Sequence, residues 1–244
     1  MRALLSFFTV LPVRTASLAD AARVIHLLPL VGLFTGVFGA LLVLLAFVLP
    51  PSVAATLALG GVLLAAGLHH ADGVLDVGDA LMVRGVAARR RAVLKDARIG
   101  IGGLGALFVV YAPAATALAA LAGSSPLGAA STLLAAEISA RSAMLLMLAL
   151  GRPAEPGSSS VPFVRALSGP YRTAGIVVAL LAPIPFLLPA GFIAVPAAAL
   201  CVPLAALLGL AVSGRAFGGI GGDSVGATGE LTRTLLLVVV SATA

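Results

Sequence analysis

Three aspartates that would share one face of a helix are the first residues whose spacing suggests chemistry. The sequence has nine acidic residues, and Asp72, Asp76 and Asp79 stand close together after a long apolar run. As a helix they would lie within an arc of about 60° and over about 10 Å of axis. Carboxylates this close repel unless a cation lies among them, and oxygen ligands favour Mg²⁺ or Mn²⁺ over zinc. We therefore predict a divalent-metal site here.

Basic residues follow the aspartates directly. The side chains that would share one face of a helix over residues 84–98 are Arg84, Arg91, Lys95 and Arg98. Metal-binding carboxylates beside a cationic stripe suit a diphosphate, because the ion bridges phosphoryl oxygens while basic groups hold the others. A positive membrane-facing loop would explain the arginines but not the neighbouring aspartates. We interpret the two features as one site.

Two charges inside an apolar run form a second candidate. Glu137 and Arg141 are spaced i, i+4, and a charge within a membrane helix is costly unless it is paired or lines a polar cavity. The sequence leaves open whether Arg141 pairs with Glu137 or contacts a substrate.

A glycine-rich stretch near the end of the chain, residues 218–230, carries Asp223 and Glu230. We predict a loop whose amides surround an anion, with the two carboxylates as further candidate ligands. Among the histidines only His70, two positions before Asp72, is near the predicted site.

The composition predicts a membrane setting. Hydrophobic residues make up 61% of the chain and charged residues 10%, against about 25% charged in ordinary soluble domains. We predict an all-α, polytopic integral membrane bundle that forms a single domain over residues 1–244. The formal charge of +6 lacks the clustered basic and aromatic residues typical of nucleic-acid binding. The sequence does not decide whether the chain forms a homo-oligomer.

About seven membrane-spanning helices are predicted, because runs of about 20 apolar residues can cross a hydrocarbon layer of about 30 Å. They cover residues 29–49, 53–71, 102–122, 127–149, 174–190, 192–212 and 230–243, the last being the shortest. Residues 1–12 are predicted to form a short interfacial helix, since no cleavage site follows them. Residues 151–172 are predicted to be a loop, either a plain connector or a lid.

The charged segments predict the orientation. Basic residues occur before the first span and between spans two and three, four and five, and six and seven, whereas the other connections carry no charge. Because basic residues collect on the cytoplasmic side, we expect the N-terminus and the site in the cytoplasm. The C-terminus would then lie outside the inner membrane.

Three ordered motifs carry a resemblance to a known family. They are His70 to Asp79, the run Lys95-Asp96-Ala97-Arg98-Ile99-Gly100, and Gly222 to Glu230. With Leu5 to Val13 and Pro29 to Gly32, they make the chain resemble the cobalamin (5′-phosphate) synthase family. The departures from the family pattern are Ala80, Ala97 and Gly221, and none of them removes a charged group.

The resemblance implies an adenosylcobinamide-GDP ribazoletransferase. A hydroxyl of α-ribazole, or of its 5′-phosphate, would attack the phosphorus next to cobinamide and expel GMP. The implied Mg²⁺ ligands are Asp72, Asp76, Asp79 and Asp96. The implied substrate-binding residues are Arg84, Arg91, Lys95, Arg98, Asp96, Arg141, Asp223 and Glu230. The implied proton acceptor is Asp79 or His70, and Lys95 would stabilise the reacting phosphoryl oxygens.

Two other functions fit parts of the pattern. A CDP-alcohol phosphotransferase also uses membrane aspartates and a metal, but that family has Ala-Arg where this chain has Asp76-Val77. An ion transporter would place acidic residues near mid-span, whereas here they gather at one end of an apolar run.

Overall fold

The computed structural model describes residues 1–13, 17–190 and 194–243, and within these ranges the chain is helical. The all-α prediction is confirmed. The helices, in chain order, are α1 Arg2–Phe8, α2 Leu18–Arg23, α3 Pro29–Val43, α4 Pro51–Ala65, α5 His69–Met82, α6 Ala87–Val93, α7 Ile101–Ser124, α8 Pro126–Leu150, α9 Val161–Ala166, α10 Pro170–Leu181, α11 Ile184–Leu187, α12 Ala194–Phe217 and α13 Gly222–Ser241.

The described residues contain five helices that are long and apolar enough to cross a membrane. These segments are Ile25–Phe47, Ile101–Ser124, Pro126–Leu150, Pro170–Leu187 and Ala198–Phe217. They agree with five of the predicted spans, although the first residues of the span predicted at 192–212 lie outside the described ranges. The membrane bundle is therefore confirmed, with fewer spans than the seven expected.

The other two predicted spans differ in the structure. The span predicted at 53–71 is divided between α4 and α5, whose axes differ in direction by 93°, so the pair counts as a sixth span only if it is taken as one broken segment. The span predicted at 230–243 belongs to α13, which is not among the candidate spans. This helix carries Asp223, Glu230 and Arg233, and these charged residues lower its hydropathy.

The bend between α4 and α5 is made by two successive residues with left-handed backbone. Gly67 has a φ of 74° and Leu68 a φ of 62°. Glycine adopts this conformation readily, whereas for leucine it costs about 1–2 kcal/mol. The bend turns α5, which carries the three aspartates, out of the line of α4.

Helix α8 is the centre of the bundle. It packs against α3, α7, α10, α12 and α13, and nearly all of its length is buried. Small residues allow helices to approach closely in a membrane bundle, and Gly32 of α3 shows this directly. A Cβ added at Gly32 would lie 2.8 Å from Cα of Ile138 on α8.

The N-terminal helix predicted from residues 1–12 is also present as α1. Leu4 and Phe8 are buried and join the apolar core formed with α2, α8 and α9. Helix α1 therefore packs onto the protein with one face, and this brings Phe7 and Phe8 next to the site described below.

The contact between α3 and α8 gives a test of this packing. We expect Gly32→Ala to lower the stability of the purified protein by about 1–3 kcal/mol, because the new methyl group would overpack against backbone that has no room to move. The matched control is Gly105→Ala on α7, where an added Cβ has no neighbour within 4 Å. Thermal unfolding in detergent measures both, and equal melting temperatures for the two variants would contradict the packing.

Candidate active site

The site is organised around α5 and its aspartates. Asp72 is exposed, while Asp76 and Asp79 are partly buried. Asp76 lies within electrostatic range of Asp72, Asp79 and a fourth carboxylate, Asp223. In the described part of the chain, none of these four aspartates forms an ion pair with a basic side chain. The structure thus brings together four carboxylates whose charges are not compensated.

Asp79 has a defined structural contact. Its carboxylate accepts hydrogen bonds from the backbone N–H of Gly100, at 2.7 Å, and of Gly103, at 2.8 Å. These are donors at the N-terminus of α7 that have no partner within the helix, so Asp79 acts as the cap of that helix from a different element. Both oxygens of the residue predicted as a metal ligand and base are therefore engaged.

Asp96, the fourth predicted metal ligand, is paired with a basic residue. Its carboxylate accepts from Arg98 Nη2 at 2.7 Å and from Arg98 Nε at 3.0 Å. This interaction lowers the pKa of Asp96. Asp72, Asp76, Asp96 and Arg98 line the same cavity. Within the described residues, no group of three or more His, Cys, Asp or Glu side chains is arranged to hold a metal ion by itself.

The basic residues do not form the single helical stripe that the sequence predicts. Helix α6 covers Ala87–Val93 only, since Gly85 precedes it with a φ of 125° and residues 96–100 are irregular. Arg84 is exposed and lies outside the helix. Of the four predicted residues, Arg91 and Lys95 share a partner in the structure.

That partner is Glu155, which the sequence analysis did not single out. Its carboxylate accepts from Arg91 Nε at 2.7 Å and from Lys95 Nζ at 2.9 Å. These two hydrogen bonds hold the pKa of Glu155 below its usual value. Glu155 is the one acidic residue in the predicted loop 151–172, and this could have indicated a partner for the basic residues. The loop therefore contacts the site, and its second half forms α9.

Asp223 comes from a segment that we predicted to be a loop. The stretch 218–230 is helical from Gly222 onward, so that expectation was wrong. The glycines serve close packing instead: a Cβ added at Gly226 would lie 3.2 Å from Cα of His70 on α5. Burial, together with the nearby charge of Asp72, raises the pKa of Asp223.

Glu230 and Arg141 belong to a buried ion cluster and not to the surface of the site. Glu230, Arg141, Glu137 and Arg233 all have no exposed surface. Arg233 contacts both acids, and Arg141 Nη1 lies 3.2 Å from Glu137. Arg141 therefore forms an ion pair with Glu137, while its guanidinium nitrogens have no hydrogen-bond partner among the described residues. Arg233 was missed, although its position three residues after Glu230 in an apolar run was a signal.

The cluster also has polar neighbours from three further helices. Thr35 on α3 donates to Glu137 at 2.5 Å, and Tyr111 on α7 donates to Glu230 at 2.9 Å. His70 on α5 is buried, and its Nδ1 lies 3.9 Å from Glu230. His70 therefore links the buried ion cluster to the helix that carries the aspartates.

Three cavities lie side by side at this end of the bundle. The aromatic cavity, of about 280 Å³, is lined by Phe7, Phe8, Phe163, His70 and Asp223, among others. The basic cavity, of about 210 Å³, is lined by Arg91, Lys95, Glu155, Ser158 and Asp223, among others. The acidic cavity, of about 350 Å³, is lined by Asp72, Asp76, Lys95, Asp96 and Arg98, among others.

Shared residues join these cavities into a row. Ser159, Gly222 and Asp223 separate the aromatic cavity from the basic one. Leu94 and Lys95 separate the basic cavity from the acidic one. A ligand with an aromatic part, phosphates and a bound cation could therefore lie along one continuous surface.

Comparison with known proteins identifies the family. A family model described as cobalamin-5-phosphate synthase matches residues 1–241. The chain belongs to the cobalamin-5-phosphate synthase family. This confirms the resemblance that was based on the three motifs.

Members of the synthase family with curated names are similar over nearly the whole chain. A protein of Methanocella arvoryzae named adenosylcobinamide-GDP ribazoletransferase is 34% identical over 99% of this chain and 95% of its own length. Proteins with the same name from Halorubrum lacusprofundi and Pyrobaculum calidifontis are 38% and 36% identical, over 97% and 98% of this chain and 94% and 97% of theirs. No solved structure matches the chain.

The hydrogen bonds of Asp79 allow its structural role to be separated from the role of the other aspartates. We expect Asp79→Asn to lower the stability by about 1 kcal/mol, because the amide keeps one acceptor oxygen and loses the charge that caps α7. Asp72→Asn is the control, since Asp72 is exposed and accepts no side-chain hydrogen bond from the described residues. Thermal unfolding in detergent compares them, and an equal loss in both variants would contradict the capping role.

Proposed function

We propose that this chain is an adenosylcobinamide-GDP ribazoletransferase. It would join α-ribazole, or its 5′-phosphate, to the GDP-activated corrinoid and release GMP. The observation that carries the proposal is the similarity of almost the entire chain to relatives with that name. The row of acidic, basic and aromatic cavities agrees with a substrate that combines a diphosphate with ring systems. Neither alternative function receives support from the family or from these names.

The donor set at α5 fits a hard divalent cation, and we propose Mg²⁺. Asp72 and Asp76 supply oxygen ligands without basic partners among the described residues, and such uncompensated carboxylates favour a cation. Asp79 and Asp96 are already engaged, so substrate phosphate oxygens would complete the coordination. When bound, the ion would neutralise the charge that develops on the diphosphate and on GMP.

The basic cavity would hold the diphosphate itself. Arg91 and Lys95 already bind one anionic group, the carboxylate of Glu155. Phosphate oxygens accept the same charge-assisted hydrogen bonds, so a diphosphate would take the position of Glu155. Arg98 lines the neighbouring acidic cavity, where it is paired with Asp96, and Arg84 is exposed outside α6, so neither lines the basic cavity.

We propose Asp223 as the acceptor of the proton from the attacking hydroxyl. Its carboxylate borders both the aromatic and the basic cavity, and its raised pKa makes its ionised form a stronger base. The hydroxyl oxygen would form a bond to the phosphorus next to cobinamide, its proton would pass to Asp223, and the bond from that phosphorus to GMP would break. The two proton acceptors expected from the sequence are less suited. Both oxygens of Asp79 accept hydrogen bonds from backbone amides, and Nδ1 of His70 lies 3.9 Å from Glu230.

The site would face the cytoplasm, as the distribution of basic residues predicts. The segments that form the basic cavity, around Arg91 and Glu155, lie in the two connections with the most arginines. Basic segments are retained on the cytoplasmic side, where nucleotide substrates occur. The chain would then be a multi-pass protein of the inner membrane.

A direct assay tests the function and the metal together. Purified protein is incubated with adenosylcobinamide-GDP, α-ribazole and Mg²⁺, and GMP and the corrinoid product are measured. We expect GMP release that stops when EDTA removes the metal, and a loss of at least about 100-fold in Asp76→Asn, since catalysis by bound metal ions contributes several kcal/mol.

The control for this assay is Asp20→Asn, which removes an exposed carboxylate on α2 that lines none of the three cavities. It should keep wild-type turnover. GMP release that survives EDTA, or an Asp76→Asn variant with full activity, would refute the metal assignment. No GMP release from the wild type would refute the function.

Glu155 gives a second prediction, on substrate affinity. Glu155→Gln removes the charge that competes for Arg91 and Lys95, so we expect the KM for adenosylcobinamide-GDP to fall about two- to fivefold, in keeping with an exposed ion pair. Lys95→Met should raise the same KM. Steady-state kinetics measures both, and a higher KM in Glu155→Gln would show that Glu155 supports the site instead of competing for it.

A further inference from the structure

The aromatic cavity has a wall made of three phenylalanine rings. Phe7 lies edge-on to Phe8, with ring centroids 4.9 Å apart, and edge-on to Phe163 at 5.6 Å. The rings come from α1 and α9, two short helices that pack beside α5 and α8. Phe7 is 41% exposed, so part of this wall is open to a ligand.

The polar side chains that line the same cavity are His69, His70, Ser159, Ser160 and Asp223. Ser160 is already engaged, because its Oγ lies 2.9 Å from that of Ser158 and donates to the carbonyl of Ile220 at 3.3 Å. Ser159 and Asp223 belong to the wall shared with the basic cavity. A ligand here would therefore have an apolar ring at one end and a polar group directed toward the phosphates.

We infer that the aromatic cavity binds the heterocyclic base of the acceptor nucleoside, with its ribose toward Asp223. This inference rests on the proposed function, in which the acceptor is α-ribazole. A flat base stacks well on aromatic side chains. The cavity volume of about 280 Å³ is close to the lower limit for ligand pockets, which usually measure about 300–1,000 Å³. The shared wall then places the acceptor hydroxyl between Asp223 and the diphosphate.

The other ring system that could enter is the guanine of the donor, and the polarity of the cavity argues against it. Guanine has two donor groups and a carbonyl acceptor on one edge, and each loses hydrogen bonds to water on entering an apolar site. The three phenylalanines offer no partners for this edge, so His69, His70, Ser159 and Asp223 would have to supply all of them. A base whose single hydrogen-bonding group is one ring nitrogen loses fewer hydrogen bonds to water, and this favours the base of α-ribazole as the ligand.

The test uses three substitutions at Phe7, whose partial exposure makes a folding defect small. KM values for α-ribazole and for adenosylcobinamide-GDP are measured separately. We expect Phe7→Ala to raise the KM for α-ribazole at least about fivefold, as loss of a stacking ring does elsewhere, with the KM for the donor unchanged. Phe7→Tyr should keep the wild-type value, and Phe7→Leu should lie between.

Phe108→Ala on α7 is the matched control, because this phenylalanine is 73% exposed and lines none of the three cavities. Calorimetric titration of wild type and Phe7→Ala with α-ribazole alone should show weaker binding in the variant. A rise in the donor KM with an unchanged α-ribazole KM would assign the cavity to guanosine, and no change in either would exclude a nucleoside. Both results overturn the inference. If the wild type itself shows no turnover, the proposed function fails, and this inference with it.

Discussion

The buried ion cluster between α8 and α13 is the interaction on which the site depends. Two acids and two arginines, with no exposed surface, compensate one another's charge. Buried charges without partners would cost several kcal/mol each, so α13 is held in the register that pairs its Arg233 with Glu137 of α8. Asp223 lies seven residues, about two turns, before Glu230 on the same helix. The register of the cluster therefore sets where the Asp223 carboxylate emerges.

The second constraint is the position of α5 between α7 and α13. Asp79 fixes α5 to the first turn of α7, and Gly73 allows the backbone of α13 to approach. With both contacts made on α5, Asp72 and Asp76 are left facing the acidic cavity. The three aspartates of one helix face thus make different contacts, and their shared face does not make them equivalent.

The sequence predicted those features that depend on local pattern and missed those that depend on distant partners. That Asp72, Asp76 and Asp79 lie on one helix follows from their spacing, whereas the predicted span 53–71 missed the break between α4 and α5. The pairing of Glu155 with Arg91 joins residues 64 positions apart, and no periodicity reports such a contact. The glycines of 218–230 read as a loop because glycine weakens an isolated helix; tertiary packing against α5 overrides that preference. The bend requires a positive φ at Leu68, a conformation that a leucine in the sequence does not indicate.

Glu155 also fixes the position of Lys95 within the site. Lys95 lines both the basic and the acidic cavity, and its ammonium group donates to Glu155, which lines the basic cavity. The hydrogen bond from Lys95 to Glu155, at 2.9 Å, holds the lysine on the side where phosphate would bind. Lys95 therefore forms its ion pair with Glu155 and not with Asp72 or Asp76.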